Sequence, residues 1–334
     1  MMRHTKSFRG HSAQRGVALI MVLLVVALAV ALSTSIAKRQ SEAIRATSSH
    51  FNRQQALFYA RGGEEWARQL LAQDFEARPN WDGPIDPWLA RDLDYEIEGG
   101  SITLWIEDQE RFLNINQWTR SASQADASLL SAQLGLDPLW IDELIDFTDI
   151  DQTPQPLGAE DYHYLGLEQP YRTSSQALVH LSELRLLRSM TPEAYSRLAS
   201  AVVALPTGTL PLNVNTMPPS SIMLIAPEIT PEAAEAVALS RDEQDGFDTV
   251  QAFLALPEFA GLNLGSFPLG VQSSFFKVRV RVDFLDQVVF LAALLYREPS
   301  SGKISVLHRS LNEPFALPEP SVDCLLYTSP SPRD

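Results

Sequence analysis

Gln14-Arg15-Gly16-Val17-Ala18-Leu19-Ile20-Met21 leads into a stretch that, after Arg15, has no charged residue until Lys38. The 21 residues from Val17 to Ala37 are enough, as a helix, to cross a hydrocarbon core of about 30 Å. Arg3, Lys6, Arg9 and Arg15 precede the stretch, with no acid among them. Basic flanks stay in the cytoplasm, so the chain beyond Lys38 is expected on the far side. Neither proline nor glycine interrupts Val17 to Arg61. Beyond the apolar stretch, Ile44, Phe51, Phe58, Trp66 and Leu70 recur at helical spacing. The helix is therefore expected to run on to about Asp74, with Gly62-Gly63 as a weak spot. Its outer half should pack on a globular body.

An ordinary secretory signal is the competing reading, with Ser35-Ile36-Ala37 as the cleavage site. The apolar stretch is long for that, since such signals carry about 7–15 apolar residues. A plain single-span anchor would need no Arg15-Gly16. That pair, at the very edge of the apolar helix, resembles a type IV prepilin signal. The resemblance implies that prepilin peptidase cuts between Gly16 and Val17 on the cytoplasmic side and that the helix is kept.

With 334 residues the chain can build two domains or one elaborated domain. Its net charge is −15, and removing residues 1–16 takes four basic residues and no acid, leaving −19. So acidic a body is a poor partner for nucleic acid or anionic headgroups. Cys324 is the only cysteine, so no intrachain disulfide forms. The sequence holds no G-x-S-x-G, P-loop or H-E-x-x-H, and its six histidines are scattered. No catalysis is expected.

Tyr95 to Glu98, Gly99-Gly100 and Ser101 to Ile106 read as strand, tight turn and strand. Arg111 to Ile115 is expected to continue that sheet. Helical patterns then take over at Ala125–Leu134, Pro138–Phe147, Ser175–Arg188, Pro192–Ala204, Pro218–Ile225, Pro231–Ser240 and Thr249–Leu254. Strands return at Ser274–Phe284, Gln287–Tyr296 and Ile304–Leu311, with a hairpin at Asp286-Gln287. The expected class is α+β: a long N-terminal helix packed on an antiparallel sheet, with a large all-helical insertion. Residues 38–120 and 270–312 would form the α+β domain and residues 121–269 the insertion. After Asn312 the pattern is lost, and Cys324 to Asp334 looks foreign to the rest.

Several blocks carry a more specific likeness. They are FYARGGEEWA from Phe58, IEDQERFLNIN from Ile106, LIDFTDIDQTPQPLGAEDYHYL from Leu144, PYRTSSQALVHLSELRLLR from Pro170 and LPLNVNT from Leu210. In these the chain resembles the general secretion pathway protein K family, the large minor pseudopilins of type II secretion. The resemblance implies a pilin-like fold and a place at the tip of a periplasmic pseudopilus. It further implies assembly with other minor pseudopilins, an inner-membrane anchor and a role in exporting folded proteins across the outer membrane. Secreted substrates or the outer-membrane channel are further partners it suggests. Major pilins carry Glu at the fifth mature position, where this chain has Met21. A buried carboxylate is tolerated only beside its partner, the N-terminal amine of the subunit ahead. A tip subunit has none ahead, so an apolar residue costs less. Met21 also reads simply as one more membrane residue.

Asp146, Asp149, Asp151, Glu160 and Asp161 crowd one short segment punctuated by Pro154, Pro156 and Gly158. Carboxylates converging there repel one another unless a cation joins them. Hard oxygen donors in an irregular loop suit Ca²⁺, and the resemblance points the same way. The expected ligands are Asp149, Asp151, Glu160 and Asp161. An EF-hand is excluded by Thr153 and Pro154. Zinc would want more nitrogen or sulfur than His163 provides, and a solvated acidic loop is the plainer alternative. Residues 210–256 also look like a helix-hairpin-helix, and with it comes the alternative of a membrane-tethered DNA receptor. The hairpin Ala226-Pro227-Glu228-Ile229-Thr230-Pro231 has no glycine, however, and Glu228 would repel phosphate. No nucleic-acid partner is expected.

Overall fold

A computed structural model describes residues 13–90, 93–118, 124–207, 210–264, 267–311 and 313. Residues 1–12 of the leader and the tail beyond 313 lie outside the described residues. The first element, α1, runs from Ala13 to Ala77 as one helix of 65 residues. It passes through Gly62-Gly63 without a break. Its first stretch, from Val17, is long and apolar enough to cross a membrane and is wholly exposed.

The outer half of α1 lies across a five-stranded antiparallel sheet. Strands β1 (Leu93–Ile97), β2 (Gly100–Asp108), β7 (Phe275–Phe284), β8 (Gln287–Arg297) and β9 (Ile304–Leu311) stand in that order. Strand alternation puts Ile102, Leu104 and Ile106 of β2 under α1 together with Val278, Val280 and Val282 of β7. Ala56, Ala60, Ala67 and Leu71 come down from the helix to meet them. Small residues on that stripe bring the helix backbone close to the sheet.

Between β2 and β7 the chain leaves the sheet and returns. Those two strands are direct neighbours, with Asp108 opposite Phe276, so the insertion is a very long loop between adjacent strands. It contains β3 (Leu113–Asn114), α2 (Gln124–Leu134), α3 (Leu139–Thr148), α4 (Asp161–Tyr164), α5 (Pro192–Ala199) and β4 (Val202–Val203). Then follow β5 (Leu212–Asn213), α6 (Pro219–Ile225), α7 (Pro231–Glu243), α8 (Val250–Leu254) and β6 (Leu269–Gly270). The insertion has its own core, with Trp118 edge-on to Trp140 and Phe253 against Phe247 and Phe259.

Several local expectations change. The insertion is not all helical, since it holds the parallel pairs β3–β4 and β5–β6. The helix expected at Pro192–Ala204 ends at Ala199, and Val202-Val203 forms β4. Leu113-Asn114 does not extend the main sheet but pairs in parallel with Val202-Val203. The buried Asn114 and Asn116 explain it. Asn116 donates to the carbonyls of Leu178 and Leu205, and Asn114 accepts from the Leu205 amide. Ser175–Arg188 holds only a 3-10 turn, Leu181–Leu186, capped by His180. The segment before it is irregular, with Ser175 at a φ of 48°, and its Leu178 amide is taken by Asn116 rather than by a helix carbonyl.

Gly63 marks the closest approach of α1 to the sheet. A Cβ there would sit 2.6 Å from Cγ1 of Val280 and 3.3 Å from Cγ2 of Ile102, whereas at Gly62 it would meet nothing within 4 Å. Gly63→Ala should therefore lower stability by about 1–3 kcal/mol. Gly62→Ala should raise it by about 0.5–1 kcal/mol. Denaturant unfolding of the detergent-extracted protein checks both signs.

Candidate metal centre and the buried acidic network

α3 ends because Thr148 turns its hydroxyl back to the Leu144 carbonyl, 2.7 Å away, and Asp149 adopts an extended conformation. Pro154 and Pro156 then forbid helix and force an extended path. Gly158 comes back against α3 so closely that a Cβ would overlap the Asp146 carboxylate. The return delivers Glu160 as the residue capping α4, with no side-chain bond to that helix.

Asp146, Asp149 and Glu160 thus each place a carboxylate oxygen within 4.8 Å of the others. Asp146 and Glu160 are fully buried. Asp146 accepts from the Gln155 amide at 3.0 Å. Both Glu160 oxygens and Oδ1 of Asp149 are buried without a hydrogen-bond partner among the described residues. Burial first, then the charges of Asp146, Asp149, Asp151 and Asp161, pushes the Glu160 carboxyl up to about 7. Burial, then Asp151 and Asp146, pushes Asp149 up to about 6. Orphaned acceptors that repel one another are what a cation would satisfy, and an all-oxygen set suits a hard ion such as Ca²⁺.

This set differs from the expected one at three residues. Asp146, at the end of α3, belongs to it. Asp161 faces away, accepting from the Thr173 amide at 2.9 Å and pairing with Arg172 at 2.6 Å. The Thr173 amide, followed by its hydroxyl and Arg172, holds the Asp161 carboxyl below its ordinary value against a smaller effect of burial. Asp151 is exposed and accepts from the Thr153 amide, so it adds charge at the rim.

A second acidic group lies where helix, sheet and insertion meet. Arg297, on the inward phase of β8, is 1% exposed. It donates to Asp74 of α1 at 3.2 Å, to both oxygens of Asp82 and to the Ser273 carbonyl at 3.0 Å. Asp86 pairs with Arg78 at 2.6 Å. Asp108 accepts from Ser273, Thr216 and Asn213, and Glu110 from the Ser274 amide. Carboxylates outnumber arginines here, and burial is the leading cause at every one of them. It raises Asp74 to about 6, Asp82 to about 7 and Glu110 to about 8, with Asp108 and Asp86 also raised. These residues are scattered from Asp74 to Arg297 and escape any local motif. Arg297 at an inward strand position was the legible sign.

The fold and its sites define a class: an α+β body on one long helix whose apolar start could cross a membrane, carrying an inserted domain between neighbouring strands. Comparison with known proteins specifies it. Family models of type II secretion system protein K match residues 111–207 and 212–272. Protein K of Pseudomonas aeruginosa is 34% identical over 327 residues, covering 92% of this chain and 96% of its own. Protein K of Pectobacterium carotovorum is 30% identical over 319 residues, covering 89% and 96%. A chain of the solved GspK–GspI–GspJ complex of enterotoxigenic Escherichia coli superposes with a TM-score of 0.71 at 23% identity, over 80% of this chain and 99% of that one. The chain belongs to the type II secretion system protein K family.

The raised carboxyls set a sign for pH. In the folded state they keep protons that the unfolded chain loses near pH 4, so stability falls as pH rises from there through about 8. In chelator, the melting temperature should drop between about pH 5.5 and about pH 8.5. Glu110→Gln should flatten that drop; a melting temperature that rises over the window contradicts the assignment.

Proposed function

We propose that this chain is a non-enzymatic minor pseudopilin that caps the type II secretion pseudopilus. In this reading α1 crosses the inner membrane, the body lies in the periplasm and the tip assists export of folded proteins across the outer membrane. Prepilin peptidase cuts between Gly16 and Val17, so N-terminal sequencing of the mature protein should begin at Val17 and not at Lys38. The observation that carries the proposal is the division of α1. One stripe is buried on its own sheet, while Ile44, Phe51 and Phe58 stand 62%, 68% and 65% exposed at seven-residue spacing. An apolar ridge of that period suits the side of another long helix. A solved protein of the same fold is in complex with two partners, GspI and GspJ. A bulky insertion and Met21 in place of an acid both suit an end position. Nothing favours a DNA receptor: the hairpin between α6 and α7 exposes Glu228, on a chain of net charge −15.

Co-purification tests the assembly. The full chain should hold candidate minor pseudopilins in detergent. Phe51→Asp with Phe58→Asp should abolish that while leaving its own melting temperature unchanged, since both side chains are exposed. Retention of the partners by the double variant would sink the proposed ridge.

Calcium is part of the same proposal. Asp146, Asp149 and Glu160 would hold it, and the ion would supply charge neutralisation that orders the loop between α3 and α4. With calcium at a hundredfold excess over its dissociation constant, stability should rise by about 2.7 kcal/mol. EDTA should remove that gain. Asp149→Asn with Glu160→Gln should make the melting temperature indifferent to calcium and no lower than that of the parent in EDTA. A parent melting curve that ignores both calcium and EDTA rejects the site.

A further inference from the structure

A cleft of about 420 Å³ opens where β2 runs into the insertion. Pockets that take small ligands span about 300–1,000 Å³. Trp105, Glu107 and Asp108 line it from β2, Arg241 and Asp242 from α7, and Arg111 from the start of the insertion.

The acids at this cleft are all engaged. Glu107 pairs with Arg279 at 3.2 Å and accepts from Gln109. Asp108 accepts the Glu110 amide on Oδ1, and Asn213, Thr216 and Ser273 on Oδ2. Asp242 accepts from Nε of Arg241 at 2.9 Å. The donors are not engaged to the same degree. The Trp105 indole N–H and Nε of Arg111 are buried without a hydrogen-bond partner among the described residues. Arg111 stands against the Phe112 ring, its Cζ 5.2 Å from the centroid. Burial raises the Asp108 carboxyl, and its hydrogen bonds and then the Arg111 charge oppose this. Yet all the hydrogen bonds to Asp108 come from other residues. Arg241 gives Nη1 to the Met217 carbonyl at 2.6 Å, and its Nη2 meets no acceptor among the described residues. A buried donor left unpaired is costly, and such groups are ordinarily satisfied. On a chain of net charge −15, this one cleft is short of acceptors.

We propose that the cleft binds a carboxylate. Such a group brings two acceptor oxygens, which match the fork of the Arg111 guanidinium, and offers an acceptor to the Trp105 N–H. Glu107 and Asp242 would repel a doubly charged phosphate more than a singly charged carboxylate. Pro84 and Leu89 also line the cleft, so there is apolar surface beside the donors for the body of the ligand. A free small carboxylate and the chain end of a polypeptide share this chemistry. The site is independent of the calcium loop and of the α1 ridge.

The test follows para-fluorobenzoate by fluorine NMR with the full chain in detergent, at constant ionic strength and calcium. Its signal should broaden saturably with the parent protein, beyond any broadening in detergent alone. Arg111→Gln should lower the affinity about tenfold or more, and Trp105→Phe, which removes the N–H, about three- to tenfold. Competition separates the sources. Displacement by acetyl-trialanine and not by its C-terminal amide supports the site and assigns a polypeptide end. Displacement by acetate and by neither peptide supports the site and assigns a small anion. Arg111→Gln should melt with the parent, because the Arg111 side chain donates no hydrogen bond among the described residues. If it melts lower, Trp105→Phe decides, and an affinity equal to the parent's then rejects the site. No broadening beyond detergent, equal affinity in the parent and a well-folded Arg111→Gln, or stronger displacement by inorganic phosphate than by any carboxylate would each overturn the proposal.

Discussion

The Arg297 guanidinium joins helix, sheet and insertion. It binds the Leu71 carbonyl and the Asp74 carboxylate of α1, Asp82 in the loop that follows, and Ser273 where the insertion returns. Taking an arginine out of water is expensive, and only complete hydrogen bonding in good geometry offsets it. Both terminal nitrogens are bonded in this way, while Nε is buried without a partner among the described residues. Trp88 donates to Asp74, and Asn213 bridges the Asp82 carbonyl, Asp108 and Ser273. An apolar joint at this position would tolerate sliding, whereas a charged one has a single arrangement. The same bonds join α1, the loop after it, β8 and the point where the insertion returns.

That joint makes the connectivity intelligible. An insertion between two adjacent strands leaves and returns at one point of the sheet, so it is carried as an appendage without disturbing strand order. Gln109 continues the pairing for one residue past β2 by donating to the Phe275 carbonyl, and Asn213 donates its amide to Glu110. The polar block from Leu210 to Thr216, conspicuous in the sequence, is thus the clasp at the insertion's base. In the proposed assembly the apolar ridge of α1 faces other helices.

Much of this was legible from the chain because periodicity survives tertiary context in long elements. The anchor helix, the hairpin at Gly99-Gly100 and the last three strands emerged nearly at their observed bounds. What escaped was non-local. Arg297 looks unremarkable until strand phase places it inward, and its partners lie as far off as Asp74. The 175–188 segment carries helical spacing, yet Asn116, distant in sequence, takes the Leu178 amide and keeps the start of the segment out of a helix. The acidic loop was visible as a cluster, but composition does not say which carboxylates face one another. Thr173 and Arg172 turn Asp161 away, and only Gly158 lets the loop close on Asp146.

The central claim is that Arg297 holds helix, sheet and insertion as one unit. The most direct measurement is equilibrium unfolding of Arg297→Met near neutral pH, followed by hydrogen exchange in α1, β7 and the base of the insertion. Removing one partner of a buried charge network leaves the others uncompensated, so the account predicts a loss of about 3–5 kcal/mol. Protection should fall together in all three regions. A variant within about 0.5 kcal/mol of the parent, the range of an unimportant surface change, would contradict it. So would loosening confined to β8.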